Sequence, residues 1–276
     1  MKLRDQGVNA RFQNFKPKPE EERALAEDHP AVLNGRTRYL ATVKSPVDVD
    51  KVLVSGENNS KIGSRVTKGA WKGMPIFTLT LEERATCPRS CHHWRTCYGN
   101  NMHWSRRHAH GLELEQKLLS ELLVHAGKYP HGFVVRLHVL GDFYSVEYCL
   151  FWAMMLRLLP MLRIWGYTAH GKGSPIGDLI EAMNTDFPDR FFVRRSVAVG
   201  PEEAEGFVSV TVDEIPPSHR IGSTQICPAQ LYDGDEAKAD NCGSCGLCWS
   251  PEMTETPIGF IRHGSPQFRK SAKEGA

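Results

Sequence analysis

The sequence predicts an α/β protein centred on a parallel (βα) partial barrel, with an irregular N-terminal segment and a cysteine-rich metal-binding module. Three observations predict it. From residue 76 to residue 212, short apolar runs alternate with helical patterns, the signature of βαβ units and a parallel sheet. Before residue 70, turn formers dominate instead, in Lys16-Pro17-Lys18-Pro19, Asn34-Gly35 and Ser55-Gly56-Glu57-Asn58-Asn59. Beyond residue 216, four of the eight cysteines crowd into residues 227–248. The resulting divisions are a wrapping segment over 1–70, a barrel core over 71–215, a cysteine module over 216–262 and a solvated tail over 263–276.

In the N-terminal segment, only Tyr39 to Val43 and Val52 to Ser55 read as strand. The core opens on the β-rich run Ile76-Phe77-Thr78-Leu79-Thr80-Leu81, which hands the chain straight to Cys87. Residues 105–126 carry Leu112, Leu119 and Leu123, with Leu114, Leu118 and Leu122 as a neighbouring stripe, at the spacings of an amphipathic helix that Gly127 can stop. Phe133 to Leu140 is nearly all apolar, as a buried parallel strand should be, and ends in Gly141-Asp142. Ser145 can cap a helix running to Pro160. Arg163 to Ala169 is a further strand, and Ser174-Pro175 suits the cap and first turn of the next helix. Arg190 to Val197 and Phe207 to Val212 bring the core strands to five, too few to close a barrel.

The 34 basic and 32 acidic residues leave a formal net charge of +2, so any attraction to nucleic acid must be local and not global. No apolar run reaches the length of a membrane span, and the first residues lack the apolar stretch of a secretory signal. A cytoplasmic, reducing location follows, in which clustered cysteines read as metal ligands in preference to disulfides. Cys149 is the exception, a small buried hydrophobe within Tyr148-Cys149-Leu150-Phe151-Trp152.

Cys87, Cys91 and Cys97 form a Cys-x3-Cys-x5-Cys loop without a fourth cysteine nearby. Three thiolates can hold three irons of a [4Fe–4S] cluster and leave the fourth open to a substrate or cofactor. Zinc, with His92, His93 or His103 as fourth ligand, fits the same donors. The loop directly follows the first strand of the βα series, where α/β barrels place their active sites. Cys227, Cys242, Cys245 and Cys248 supply four thiolates, a closed shell for a structural or electron-relay centre, again either [4Fe–4S] or zinc. On the second strand, Arg136 and His138 are expected on one face with Leu140, where two polar groups must be paired or bind something. Asp142, just past the strand end, is a catalytic candidate because ligands collect at that edge of a parallel sheet; it could equally be a helix-entry aspartate. His170, Arg194, Arg195 and Ser196 are weaker candidates at the next two strand ends.

A strand, a three-cysteine loop ending in Cys97-Tyr98, a long helix and a strand ending in Gly141-Asp142 together resemble the radical S-adenosylmethionine enzymes. The resemblance implies a TIM-type partial barrel in which Cys87, Cys91 and Cys97 ligate a [4Fe–4S] cluster. It further implies that Gly141 and Asp142 meet the methionine amino group, with Tyr98 also at the cofactor. The last cysteine gap is longer than that family's x2, and Leu140-Gly141-Asp142 has one glycine and a shorter acid than its Gly-Gly-Glu. Arg136 to Ser145, Asn59-Ser60-Lys61, Cys227-Pro228-Ala229-Gln230 and the cysteine run at 242–249 are also similar to a phage-associated family called gene product eighty-eight, over most of residues 58–250.

The first function expected is therefore an iron–sulfur enzyme of radical type, fed by a reductant protein and acting on a nucleic acid or nucleobase, with Asp142, His138 and Arg136 at the chemistry. A zinc-dependent base-modifying or base-exchange enzyme, with Asp142 as nucleophile or base, is the second. The third is a non-catalytic, metal-stabilised nucleic-acid-binding protein. For either nucleic-acid role, His93-Trp94-Arg95 and His103-Trp104-Ser105-Arg106-Arg107-His108 interleave rings that can stack with cations that can meet phosphate.

Overall fold

The apolar runs assemble into one large, mostly parallel sheet. The computed structural model describes residues 24–59, 61–212, 218–230 and 241–261; the expected tail and the Lys16–Pro19 run lie outside the described residues. In chain order the strands are β1 (Val43–Lys44), β2 (Val54–Ser55), β3 (Ile76–Thr78), β4 (Arg107–His108), β5 (Phe133–Leu137), β6 (Leu162–Thr168), β7 (Phe191–Ser196), β8 (Val208–Val212), β9 (Arg220–Ile221), β10 (Thr224–Ile226) and β11 (Ile258–Ile261). The helices are α1 (Pro30–Leu33), α2 (Leu112–Lys128), α3 (Val146–Leu158), α4 (Pro175–Asp186) and α5 (Cys242–Cys245). Nine strands pair in the order β2-β3-β5-β6-β7-β8-β11-β10-β9, with one antiparallel strand at each edge and parallel pairing between. The sheet is open, and no closed barrel forms among the described residues.

From β3 to β7, neighbours in the sheet follow one another in sequence, joined through α2, α3 and α4. Because parallel crossovers are right-handed, an order that advances one way accumulates its helices on one face. That face is the main core, where Phe77, Phe133, Val135, Leu137, Ile164 and Val193 meet the buried sides of the three helices. The opposite face carries Ile76, Val134, Trp165 and Phe192 and is covered by Ile62, Val66, Trp71 and Trp249. The irregular N-terminal segment and the cysteine module thus do on this face what helices do on the other.

Two helices start where their caps predict. Ser145 Oγ accepts from Tyr148 N at 3.1 Å, and Ser174 Oγ from Gly177 N at 3.1 Å with Pro175 in the first turn. Each such cap stabilises by about 1 kcal/mol. The start of α2 departs from expectation: Arg107–His108 leaves the helix pattern to pair with β1, so α2 begins at Leu112. Its fully buried stripe is Leu114, Leu118 and Leu122, whereas Leu112 and Leu123 are exposed. The neighbouring stripe, not the first, is the core face. Tyr39 to Val43 is mostly a 3-10 turn, with only Val43 in β1.

The second core strand also ends early, at Leu137 instead of Leu140. This changes a predicted face. Arg136 lies on the module-covered side, its guanidinium 4.6 Å from the Tyr167 ring centroid. His138 instead turns into the helix side, 5.1 Å from the Phe143 ring and hydrogen-bonded through Nε2 to the Tyr148 hydroxyl at 3.1 Å. Once strand pairing stops, side-chain alternation is no longer enforced, so Arg136 and His138 do not share a face.

Three strands, β9, β10 and β11, were not expected. They are two to four residues long, and β11 slots parallel between β8 and β10, so the sheet runs on through the cysteine module.

Candidate functional site

The first cysteine loop leaves the carboxyl end of β3 through three consecutive charges, Glu82, Glu83 and Arg84, all essentially buried. Buried charges must be paired, and each of these pairs so as to hold the loop. Glu83 forms an ion pair with Arg107 at 2.5 Å, both side chains fully enclosed, and accepts from Thr37 Oγ1 at 2.7 Å. Glu82 is gripped by Arg36 through Nε at 2.6 Å and Nη2 at 3.0 Å. Arg84, with a positive φ of 66°, reaches around the loop to donate to Trp94 O at 2.8 Å and Asn100 Oδ1 at 2.5 Å. Arg107 adds bonds to the carbonyls of Gly99, Met102 and Ser105. The loop over 87–106 is therefore cinched from within by arginines. Arg107, expected from the sequence among the cations that meet phosphate, is instead fully buried in its ion pair with Glu83; no sequence signal singles out Glu82, Glu83 and Arg84, although they sit in a row directly after a buried strand.

Gly141 and Asp142 meet the same loop from the end of β5. Gly141 has φ of 84°, and a Cβ there would fall 2.5 Å from Thr86 Oγ1 and 2.6 Å from Leu81 Cβ. Only glycine admits this approach next to Cys87. Asp142 N donates to Thr86 Oγ1 at 3.1 Å. The Asp142 carboxylate is 3% exposed and accepts from Phe143 N at 2.8 Å and Ala169 N at 2.7 Å. Burial raises its pKa, opposed by nearby His170 and by the backbone donors of Ala169 and Phe143. With both oxygens committed, Asp142 ties the ends of β5 and β6 to the root of the cysteine loop.

All eight cysteines are free thiols. Burial raises Cys87 well above the ordinary thiol range, with Asp142, Cys97 and Cys91 adding to the effect. It raises Cys97 to about 12, aided by Glu83, and raises Cys91 as well. The three half-buried thiols thus lie near one another, and Asp142 acts on Cys87 and Cys91. Tyr98 leaves its ring edge exposed, while burial raises the pKa of its hydroxyl against the pull of Arg136. Beside Cys87 an open cavity of about 510 Å³ is lined by Arg36, Arg84, Arg89, Trp94 and His110 among others. Trp104, 93% exposed, stands edge-on to His103 on the same loop.

The second group sits against the module-covered face of the sheet. Cys242 N donates to Lys61 O at 2.7 Å and Gly243 N to Ile62 O at 3.0 Å, and Asn241 closes a capping box on Ser244. A Cβ on Gly243 would lie 2.3 Å from Arg65 O, so the close approach to the N-terminal segment requires glycine. Trp249 stacks on Trp71 at 5.4 Å and packs 4.6 Å from Trp165. Cys248 Sγ accepts from the Tyr167 hydroxyl at 2.9 Å. Burial, then Cys248, raises the Cys227 and Cys242 thiols, the latter to about 12 with Arg136 opposing.

Among the described residues, no three His, Cys, Asp or Glu side chains converge closely enough to grip a single ion. By donor type alone, soft thiols without disulfide partners, three and four to a group in the chain, suit iron–sulfur clusters, which spread their thiolates over separate irons. His92, His93 and His103 belong to the same loop, but His93 is taken up by Thr96 and by Thr211, at 2.7 Å, and His103 by the Tyr39 hydroxyl at 3.0 Å.

No described helix is long and apolar enough to cross a membrane. Comparison with curated proteins and with solved structures gives no match. A family model described as gene product 88 matches residues 52–251, a span that takes in β2, both thiol groups, the Gly141–Asp142 corner and Trp249. The chain therefore belongs to the phage-associated gene product 88 family.

Proposed function

We propose that this protein is an iron–sulfur enzyme of radical S-adenosylmethionine type, built on a partial barrel, that modifies a nucleobase or nucleic acid in the cytoplasm. One observation carries the reading. Three half-buried thiols share one loop at the carboxyl end of a parallel strand, Gly141 and Asp142 meet that loop from the next strand, and a cavity opens beside Cys87. This is the edge at which singly wound α/β sheets collect ligands.

In this reading Cys87, Cys91 and Cys97 hold a [4Fe–4S] cluster and Cys227, Cys242, Cys245 and Cys248 hold a second metal centre. The first cluster, when bound, supplies an electron for reductive cleavage of S-adenosylmethionine. The chain's own residues position and enclose. Gly141 lets the end of β5 close against Leu81 and Thr86 at the root of the cysteine loop. Asp142 fixes the β5 and β6 loops relative to the thiols, a positioning role better suited to its two committed oxygens than nucleophilic attack. Arg89 and Trp94 line the cavity beside the Arg36–Glu82 ion pair and give it one cation and one ring to meet a base and its phosphate, and exposed Trp104 offers a further stacking surface. His138, buried against Tyr148, is a core residue in this scheme.

Anaerobic purification with iron, sulfide and zinc measured per chain, beside the visible spectrum, tests the reading. Brown protein that loses about four irons when Cys87, Cys91 and Cys97 are changed together to alanine is the expected result. Colourless protein with stoichiometric zinc under the same conditions overturns it in favour of zinc-dependent base chemistry.

A further inference from the structure

Arg194 lies in the middle of β7 and is fully buried. Its guanidinium donates to Thr256 O and Met253 O, each at 2.8 Å, and lies 4.1 Å from the Phe207 ring centroid, but its Nε has no partner. No carboxylate forms an ion pair with it among the described residues. Carbonyl dipoles and a ring face solvate a cation, but they leave its charge uncompensated, which in an enclosed site is costly. Arg136 repeats the arrangement. It stands on the same sheet face, over Tyr167 and Trp165, and also lacks an ion pair among the described residues.

The register explains why the two belong together. Arg136 pairs with Trp165, and Tyr167, two residues on, pairs with Arg194, so Arg136, Tyr167 and Arg194 run diagonally across three adjacent strands. Tyr167, in the middle, donates to Cys248 Sγ. The four-cysteine group therefore rests on a row of two cations and one hydroxyl donor, with no acid among the side chains that form the row.

We propose that Arg194 and Arg136 are the counter-charges of a metal-loaded four-cysteine centre, and that they govern how tightly the centre keeps its metal. Four thiolates around a [4Fe–4S] cluster in its usual oxidised state leave a net dianion, which two arginines neutralise. If the centre is a cluster, the same charges stabilise its reduced form and raise its potential, which suits passing an electron inward from a reductant. The inference rests on the four-cysteine half of the proposed function and not on the three-cysteine loop.

The test compares full-length protein with Arg194→Met and Arg194→Lys, following metal release to a chelator. A parallel sample carrying Cys87, Cys91 and Cys97 as alanine assigns the signal to the four-cysteine centre. Arg194→Met is expected to release that metal about tenfold faster, and Arg194→Lys to stay near the parent rate, in line with the effect of supporting residues on metal affinity. Equal release from Arg194→Met and parent overturns the proposal. So does equally fast release from both variants, which would trace the effect to the bonds to Met253 and Thr256 instead of to charge. Should Arg194→Met fail to fold, Arg136→Met replaces it, since it leaves those bonds in place; faster release supports the proposal and unchanged release overturns it. A triple-alanine sample without metal, beside a parent that keeps metal on the first loop, refutes the four-cysteine reading itself and the arginine proposal with it.

Discussion

Around Cys87, Cys91 and Cys97 the supports are ion pairs, whereas around Cys242, Cys245 and Cys248 they are aromatic rings, backbone and two arginines with no carboxylate partner among the described residues. Glu83–Arg107, Glu82–Arg36 and the reach of Arg84 hang the first loop at the carboxyl edge of the sheet, beside an open cavity. Trp249, between Trp71 and Trp165, and the backbone bonds to Lys61 and Ile62 press the second group flat against the sheet. An ion-paired scaffold is directional and can fix a loop in space without filling the space in front of it. Apolar packing stabilises only by filling space, so it suits a centre that no substrate enters. The difference in support accompanies a difference in thiol count, three against four.

The sharpest way to break this comparison is to remove one support from each side. Arg107→Met leaves Glu83 buried with its main partner gone, and losing one member of an enclosed pair costs about 3–5 kcal/mol. In metal-free protein, alkylation of Cys87, Cys91 and Cys97 followed by mass spectrometry should accelerate about tenfold or more, while Cys242, Cys245 and Cys248 keep the parent rate. Trp249→Ala should do the reverse at about 3 kcal/mol, through a cavity between Trp71 and Trp165. If either variant exposes both thiol groups alike, the two supports act as one and the contrast fails.

How far these features can be read from the chain depends on how local their causes are. The caps of α3 and α4 are legible because a serine and, for α4, a proline act within one turn of their own position. The seven clustered cysteines and Gly141–Asp142 are legible because spacing and strand-end chemistry are also local. The buried stripe of α2 is not, since Leu112–Leu119–Leu123 and Leu114–Leu118–Leu122 have equal helical periodicity and only the sheet decides between them. Strands β9 to β11 are too short to show a period, and β11 reaches its place by pairing with β8, some fifty residues earlier. The roles of Glu82, Glu83 and Arg84 are not legible in the sequence, because their partners Arg36, Thr37, Asn100 and Arg107 come from elsewhere in the chain.

His138 sharpens the comparison by touching neither group. One strand end sends Arg136 toward the second thiol group and His138 into the helix-side core, where its Nδ1 has no partner. Burial, helped by Arg136, lowers its pKa from 6.5 to about 3, so the folded protein keeps it neutral while the unfolded chain protonates it. Below pH 6.5 the unfolded state therefore binds the extra proton, and stability falls with acid until the folded pKa is passed. Between pH 7.5 and pH 5 this contribution amounts to about 2 kcal/mol, from 1.36 kcal/mol per pH unit. Urea unfolding at those two pH values should show the loss in the parent and a shallower slope in His138→Phe, whatever the substitution does to stability at pH 7.5. Thiol alkylation at pH 7.5 should remain at the parent rate for both groups in this variant. An unchanged slope would mean that His138 is open to water and protonates in the folded state, and the separation of Arg136 and His138 onto opposite sides of the sheet would lose its energetic support.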